Sequence, residues 1–157
     1  MSNQSRREQM RAQVTGYFEA CNTGDPDAIA AYLTPDAIHW FPPGMYGGAF
    51  RGGATIGARW SRAFHDGGSR WALETVVVDP EAGVAVVEWT HYKTSQGTVL
   101  RGDEWHVFDD ASGLIREIRA YYASPQAAGL SRLELEGFDY AERGYSMEAP
   151  AAREARS

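Results

Sequence analysis

Three segments of alternating polar and apolar residues between Val84 and Ser124 constrain the fold of this chain more than any other feature. They read VAVVEWTHYK, TVLRGDEWHVFDD and LIREIRAYYAS, and β-branched and aromatic residues dominate them. Such alternation is typical of strands whose two faces meet different environments. The connections at residues 94–97 and 109–113 are short and contain glycine, which predicts antiparallel hairpins. We therefore expect the carboxyl-terminal half to form a sheet.

The amino-terminal half shows the spacing of helices. Apolar residues predict a helix over residues 5–22, a short helix from Asp25 through Leu33, and a third helix marked by Ile56, Trp60 and Phe64. Two further strands are predicted over residues 37–41, after a break at 34–36, and over residues 71–78. The glycine-rich residues 44–53 are expected to form a loop, either at the mouth of a pocket or as a plain surface loop.

Helices that precede the strands along the chain predict an α+β fold, with the helices on one face of a sheet. A length of 157 residues suits one domain, which we expect over residues 1–145, followed by a disordered tail over residues 146–157. Apolar residues between positions 130 and 145 are expected to pack on the rim of a pocket or on a second subunit.

Composition argues against several classes of protein. The formal net charge of −6 disfavours nucleic-acid binding, which needs a concentrated basic face. No apolar run approaches the ~20 residues of a membrane span, and the first residues lack an apolar signal core, so we expect a cytoplasmic protein. The single cysteine, Cys21, is interpreted as a small buried side chain. The histidines lack the short spacing of metal motifs, so we expect neither a metal nor another cofactor.

Two stretches of the chain resemble a known superfamily. They are GYFEACNTGDPDAIAAYLTPDAIHWFPPG, at residues 16–44, and GLIREIRAYY, at residues 113–122. Both are similar to the nuclear transport factor 2-like superfamily, specifically its SnoaL-like and ketosteroid-isomerase-like members. The resemblance implies a cone-like α+β barrel, in which a curved, mainly antiparallel sheet wraps around three N-terminal helices and leaves a hydrophobic pocket at its open end. This fold hosts isomerases, dehydratases, cyclases, epoxide hydrolases and non-catalytic binders, so it does not name a reaction.

The catalytic residues of the best-known members are only partly matched. Tyr17 falls where ketosteroid isomerases place an oxyanion-binding tyrosine, and Glu104 falls near their second hydrogen-bond donor. Their general-base aspartate is matched by Phe41, which argues against steroid isomerisation. The catalytic sets of limonene epoxide hydrolases and of dehydratases are also incomplete. Their positions hold residues 89–91 and Ala120 in the first case, and Asn22 and Trp71 in the second.

Alternation also predicts which side chains face the pocket. If Phe41 faces inward, His39 does so too and Trp40 points outward. On the later strands the inward set is Val87, Trp89, His91, Gly102, Glu104, His106, Ile118, Ala120 and Tyr122. A register slip of one residue would replace Glu104 and His106 by Asp103 and Trp105, and both registers stay open. On the outer face, Glu88 opposite Arg101 is expected to form a charge pair.

Ionisable side chains on one face of an aromatic cavity favour acid–base catalysis. Burial should lower the pKa of the histidines and raise that of Glu104, which would bring a base and an acid near neutral pH. We therefore expect His91 to be the leading base, Glu104 a proton donor or the partner that orients a histidine, and His39 and Tyr17 to assist. The predicted substrate contacts are Phe41, Trp60, Trp89, His106, Ala120 and Tyr122.

These residues predict a cofactor-independent lyase, isomerase or cyclase that acts on a small, apolar, oxygenated molecule. The alternative is a non-catalytic small-molecule-binding or assembly protein with the same cavity, in which the histidines are packing residues. The resemblance also implies a homodimer through the outer face of the sheet, where Trp105, Val107 and Tyr121 would need cover.

Overall fold

The computed structural model describes residues 2–42, 45–122 and 139–155, together with the backbone of residues 132–133. Its helices are α1 (Asn3–Cys21), α2 (Pro26–Ala30) and α3 (Gly53–Gly67). The Ser2 side chain caps α1 by accepting a hydrogen bond from the Ser5 N–H. Asp25 caps α2 in the same way, and Pro26 suits the first helical position. α3 ends at Gly68, which adopts the left-handed conformation with a φ of 63°.

The strands form one mixed sheet in which most neighbours are antiparallel. They are β1 (Leu33–Trp40), β2 (Phe50–Arg51), β3 (Ser69–Asp79), β4 (Val84–Lys93), β5 (Thr98–Phe108), β6 (Ile115–Tyr121) and β7 (Arg132–Leu133). The main path runs β2-β1-β6-β5-β4-β3, and β7 pairs with the first residues of β5. Pairing is parallel between β1 and β6 and between β5 and β7. The predicted α+β architecture is therefore confirmed.

The core lies between the helices and the inner face of the sheet. Val14 of α1, Ile56 of α3, Val87 of β4 and Ile118 of β6 are fully buried in it. Burying a side chain of this size contributes ~1.5–3 kcal/mol to folding. The predicted alternation is seen in β4, where Ala85, Val87 and Trp89 are buried and the residues between them are less so.

The strand expected at residues 37–41 begins earlier, at Leu33. The expected break at residues 34–36 is wrong, because these residues lie inside β1, where its pairing with β6 is irregular between Leu33 and Ile38. Such an irregularity accommodates Pro35, since no ladder hydrogen bond is required of its nitrogen there. α2 ends at Ala30, so the predicted second helix does not extend to Leu33.

A β-bulge in β3 directs Glu74 outward. The register of β3 against β4 shifts between Leu73 and Thr75, which leaves Glu74 without a cross-strand partner. Its carboxylate accepts hydrogen bonds from Thr90 Oγ1 at 2.7 Å and from the Ser146 N–H at 3.1 Å. The chain near residue 146 is thereby fixed to the outer face of the sheet.

Arg101 lies beside Glu74 in the same outer cluster. Its Nη1 is 3.9 Å from Glu74 Oε1, and its side chain is only 6% exposed. The guanidinium packs over the rings of Tyr140 and Tyr145, at 4.3 and 5.7 Å from their centroids. The expected pairing of Glu88 with Arg101 is wrong, because Glu88 lies opposite Asp103 and Arg101 lies opposite Thr90.

The remaining expectations for the carboxyl-terminal region concern residues 130–157. Tyr140 and Tyr145 pack on the outer face of the sheet, whereas the side chains of residues 130–138 lie outside the described part of the chain. Residues 146–155 contain no helix or strand, and the Arg153 N–H donates to the Asn22 carbonyl at 2.9 Å. Among the helices described, none combines the length and apolar character needed to cross a membrane.

Candidate active site

The helices and the inner face of the sheet enclose a small aromatic cavity. Its volume is about 30 Å³, room for about two water molecules. Its wall consists of Tyr17, Phe18, Cys21, His39, Phe41, Tyr46, Trp60, Trp71, Trp89, His91, Glu104, Ala120 and Tyr122. Nine of the ten predicted site residues are in this wall. The exception is His106, which lies behind Glu104 and holds it by a hydrogen bond.

The register of β5 determines which carboxylate reaches the cavity. Glu104 pairs with Val87 on β4 and with Ala120 on β6, and it is 5% exposed. The neighbouring residues Asp103 and Trp105 point to the outer face, where both are exposed. Of the two registers left open by the sequence, the structure therefore adopts the one that places Glu104 and His106 inside.

A carboxylate flanked by two histidines forms the polar centre of the cavity. His106 Nε2 is 2.9 Å from Glu104 Oε1, and His39 Nε2 is 3.7 Å from Glu104 Oε2. Burial by itself would raise the pKa of Glu104, but the hydrogen bond and charge of His106, together with a hydrogen bond from Trp89, outweigh it. The pKa of Glu104 is consequently lowered, and the carboxyl group is ionised at neutral pH.

The expectation of a raised pKa for Glu104 is therefore wrong, because its hydrogen-bond partners outweigh the effect of burial. Alternation along β5 predicts that Glu104 is buried. It does not predict that the side chain of His106, two positions further along the same strand, forms a hydrogen bond with the Glu104 carboxylate. With Glu104 ionised, both its oxygens are acceptors, so His106 donates through Nε2. An ionised Glu104 has no proton to donate, so in this state it can act only as a hydrogen-bond acceptor or a base.

His39 is buried, and the described part of the chain offers it no hydrogen-bond partner. Its ring stacks on Phe41 with centroids 4.2 Å apart, and neither ring nitrogen is hydrogen-bonded by the described residues. Burial lowers the pKa of His39 to about 4, although the charge of Glu104 opposes this shift. His39 is therefore a neutral imidazole that presents one N–H donor and one acceptor beside the cavity.

His91 lies in a different part of the wall. Its Nε2 shares a hydrogen bond with Ser69 Oγ at 2.8 Å, and its ring stacks on Trp71 with centroids 4.5 Å apart. Burial, assisted by the charge of Lys93, lowers the pKa of His91 to about 3. This weak basicity and the engaged Nε2 make His91 a poorer general base than predicted.

Two hydrogen-bond donors line the cavity near Glu104. The Tyr17 hydroxyl accepts a hydrogen bond from Trp60 Nε1 at 3.0 Å, which leaves its own proton to be donated. Burial, together with Cys21 and Glu104, raises the pKa of Tyr17 well above its ordinary value, so the hydroxyl keeps that proton. The buried Trp89 indole points its N–H towards Glu104, where it contributes to the lowered pKa of that carboxyl group.

Four wall residues were not predicted: Phe18, Cys21, Tyr46 and Trp71. Cys21 follows Tyr17 by four positions on α1, so helical periodicity could have found it. Trp71 alternates with Leu73 on the strand that pairs with β4, and the same counting could have found it. Tyr46 lies in the loop expected over residues 44–53, but periodicity could not single it out, because its backbone there is irregular, with a φ of 53°.

Comparison with known proteins places this arrangement in a family. The sequence of residues 14–118 matches the SnoaL-like domain. The chain belongs to the SnoaL-like domain family. None of the curated proteins compared with this SnoaL-like chain matches it.

Solved structures share the fold. A protein of unknown function with a cystatin-like fold from Methylobium petroleophilum is 51% identical, with a TM-score of 0.74, and the match covers 96% of this chain and 97% of that one. A putative polyketide cyclase from Xanthomonas campestris pv. campestris is 26% identical, with a TM-score of 0.54, covering 75% and 93%. SalBIII, an epoxide hydrolase/cyclase-like enzyme in pyran ring formation of the polyether salinomycin, is 17% identical, with a TM-score of 0.63, covering 74% and 92%. Distant members of this fold thus include cyclases.

The polar residues of the cavity do not form a metal-binding cluster. Among the described residues, no group of three or more histidine, cysteine or carboxylate side chains is arranged to hold a metal ion. His106 Nε2 is engaged by Glu104, and His91 Nε2 is engaged by Ser69.

Proposed function

We propose that this SnoaL-like protein is a cofactor-independent enzyme of the lyase, isomerase or cyclase type. It acts by general acid–base chemistry on a small, apolar molecule that carries a carbonyl or hydroxyl group. One observation carries the proposal: an ionised carboxylate, Glu104, is buried in the wall of an aromatic cavity, where His106 Nε2 donates a hydrogen bond to its Oε1. In this proposal its second oxygen, Oε2, which lies 3.7 Å from His39 Nε2, accepts a proton from a bound molecule.

In this proposal Glu104 is the general base and His106 is a positioning residue. Glu104 Oε2 removes a proton from a carbon next to the substrate carbonyl, and the electron pair of the broken C–H bond moves onto the carbonyl oxygen. The resulting enolate either takes the proton back at another carbon, expels a leaving group, or attacks a second carbonyl to close a ring. The first outcome is isomerisation, the second elimination and the third cyclisation.

The developing oxyanion needs hydrogen-bond donors that are already in place. Tyr17, whose hydroxyl is held by Trp60, and neutral His39 supply such donors on the same wall as Glu104. A neutral imidazole whose pKa is about 4 does not compete with the base for a proton at pH 7. His91 with Ser69 forms a second polar pair, which we assign to binding a further substrate oxygen.

The experiment measures base-catalysed exchange on simple probes. Cyclohexanone, 2-cyclohexenone and 1-tetralone are incubated with the protein in D₂O, and loss of the α-hydrogen signals is followed by NMR. We expect the wild-type protein to accelerate exchange for at least one ketone, and Glu104→Gln to reduce the rate by ~10²–10⁴-fold. Asp103→Asn is the matched control, because this neighbouring carboxylate lies on the outer face. Unchanged exchange in Glu104→Gln would refute the assignment of the base.

The second candidate function is a non-catalytic binding or assembly protein. It is favoured by the pKa values of His39 and His91, about 4 and about 3, and by the lowered pKa of Glu104, because none of these groups titrates near neutral pH. Recovery of a tightly bound ligand in unaltered form, together with no exchange on any probe, would support this function. Turnover that depends on Glu104 would exclude it.

A further inference from the structure

A second, larger concavity adjoins the aromatic cavity. It has a volume of about 640 Å³ and is lined by Trp40, Phe41, Pro42, Glu117, Arg119, Ala120, Tyr121 and Tyr122. We call it the β1/β6 groove. Its volume lies within the ~300–1,000 Å³ of typical small-molecule sites, whereas the 30 Å³ cavity does not.

The groove is located where two strands end. β1 and β6 run parallel, and their last paired residues are Trp40 and Arg119. β1 ends at Trp40 and β6 ends at Tyr121, so the groove occupies the space at the ends of these two strands.

Three residues belong to both the groove and the cavity: Phe41, Ala120 and Tyr122. The smallest of them, Ala120, pairs directly across the sheet with Glu104. A ligand lying in the groove and passing over Ala120 would therefore reach the carboxylate without displacing a large side chain at that point. The groove and the cavity therefore adjoin at these three residues.

The residues that line the groove determine which kind of ligand it favours. Its charged residues engage each other, since Arg119 Nε lies 3.1 Å from Glu117 Oε1 and Trp40 Nε1 donates to Glu117 Oε2 at 3.4 Å. The rest of the lining is aromatic, aliphatic or proline. A groove of this kind favours an uncharged hydrocarbon chain over a carboxylate or a phosphate.

We propose that the β1/β6 groove binds the apolar tail of an elongated, uncharged substrate whose oxygenated head reaches Glu104 past Ala120. This inference rests on the proposed function, because it takes Glu104 as the reacting centre. It narrows the substrate class to molecules with a hydrocarbon portion at least as large as their polar head. It also assigns a binding role to Trp40 and Tyr121, which lie outside the cavity.

A homologous series of ketones tests the groove directly. Affinities of 2-butanone, 2-hexanone, 2-octanone and 2-decanone are measured by ligand-observed NMR titration at pH 7. Each added methylene that enters the groove should tighten binding about fourfold. Trp40→Ala should weaken 2-decanone binding about tenfold or more and leave 2-butanone binding unchanged. Val77→Ala is the matched control, because Val77 is 62% exposed on the sheet away from the groove.

A second variant guards against misfolding of the first. Ala120→Leu narrows the passage between groove and cavity and should abolish the dependence of affinity on chain length. Equal affinities across the series, or equal effects of Trp40→Ala and Val77→Ala, would overturn the proposal. It would also be overturned if Trp40→Ala converted a dimer into a monomer while chain length had no effect, since the groove would then be a subunit interface.

Binding is read without turnover, so the two proposals can fail separately. If Glu104→Gln keeps the wild-type rate of α-hydrogen exchange, the proposed function fails while the chain-length dependence stands. If exchange depends on Glu104 but affinity is independent of chain length, the groove proposal fails alone.

Discussion

Replacing His91 by glutamine tests whether this buried histidine is neutral, because its pKa shift makes the free energy of unfolding depend on pH. The pKa of His91 falls from 6.5 to about 3 on folding, because burial disfavours the charged ring. The unfolded chain therefore binds a proton at a pH where the folded chain does not. This difference destabilises the folded protein as the pH falls below 6.5, and the loss is complete only near pH 3.

The magnitude follows from the two pKa values. At pH 7.5 the unfolded histidine is mostly neutral, so the effect on the free energy of unfolding is close to zero. At pH 5 the unfolded ring is almost fully protonated, and His91 lowers the free energy of unfolding by ~2 kcal/mol. His39, with a pKa of about 4, adds a loss of similar size over the same interval.

Urea denaturation at pH 7.5 and pH 5 measures the effect. We expect the difference in unfolding free energy between the two pH values to shrink by ~2 kcal/mol in His91→Gln. The absolute stability at pH 7.5 is not the test, because glutamine also alters the contact with Ser69. The exposed His65→Gln is the matched control for removing a histidine, and it should keep the wild-type difference. If His91→Gln kept the wild-type difference in unfolding free energy between pH 7.5 and pH 5, the conclusion that His91 is buried and neutral would be refuted.

Two further predictions concern the outer face of the sheet. Arg101→Leu removes the cation beside the largely buried Glu74 carboxylate, so it should lower the free energy of unfolding, measured by urea denaturation, by ~3–5 kcal/mol. The control Arg62→Leu breaks an exposed pair with Asp66 and should lower it by less than ~1 kcal/mol. Equal decreases in the two variants would contradict the burial of the Glu74–Arg101 pair. We also propose a homodimer through the exposed Trp105, which is 39% exposed, so Trp105→Lys should be monomeric by light scattering. A monomeric wild-type protein would contradict this proposal.

Most of the fold could be predicted because burial of one face makes apolar residues recur at every second position of the late strands. The strands from β3 to β6 are joined in sequence by three short hairpins, β3–β4, β4–β5 and β5–β6. The register of these local pairings is therefore determined once the inward face of each strand is known. Val107 shows the limit of this counting, because it was assigned to an exposed outer face and is only 8% exposed. The irregularity around Pro35 also escaped prediction, since it depends on the parallel pairing of β1 with a distant strand, β6.

The candidate site was less predictable than the fold for the same physical reason. Periodicity can assign His39, His91, Glu104 and Tyr17 to one cavity, but it gives no distances between side chains on different strands. The hydrogen bond from His106 reverses the pKa shift expected for Glu104, and the hydrogen bond to Ser69 engages His91. Both hydrogen bonds depend on distances of a few ångströms between side chains, and such distances cannot be predicted from residue types and their spacing in the sequence.

The energetics of the cavity explain why these polar groups favour a functional interpretation. Among the described residues, neither ring nitrogen of the buried His39 has a hydrogen-bond partner, and an unsatisfied buried group costs ~1–3 kcal/mol. An apolar residue of similar shape would avoid this cost, so folding alone does not require His39. A bound hydroxyl group could accept a hydrogen bond from the His39 N–H and donate its own proton to Glu104. The stability lost at the cavity is then recovered on ligand binding, which is how a binding site differs from a core.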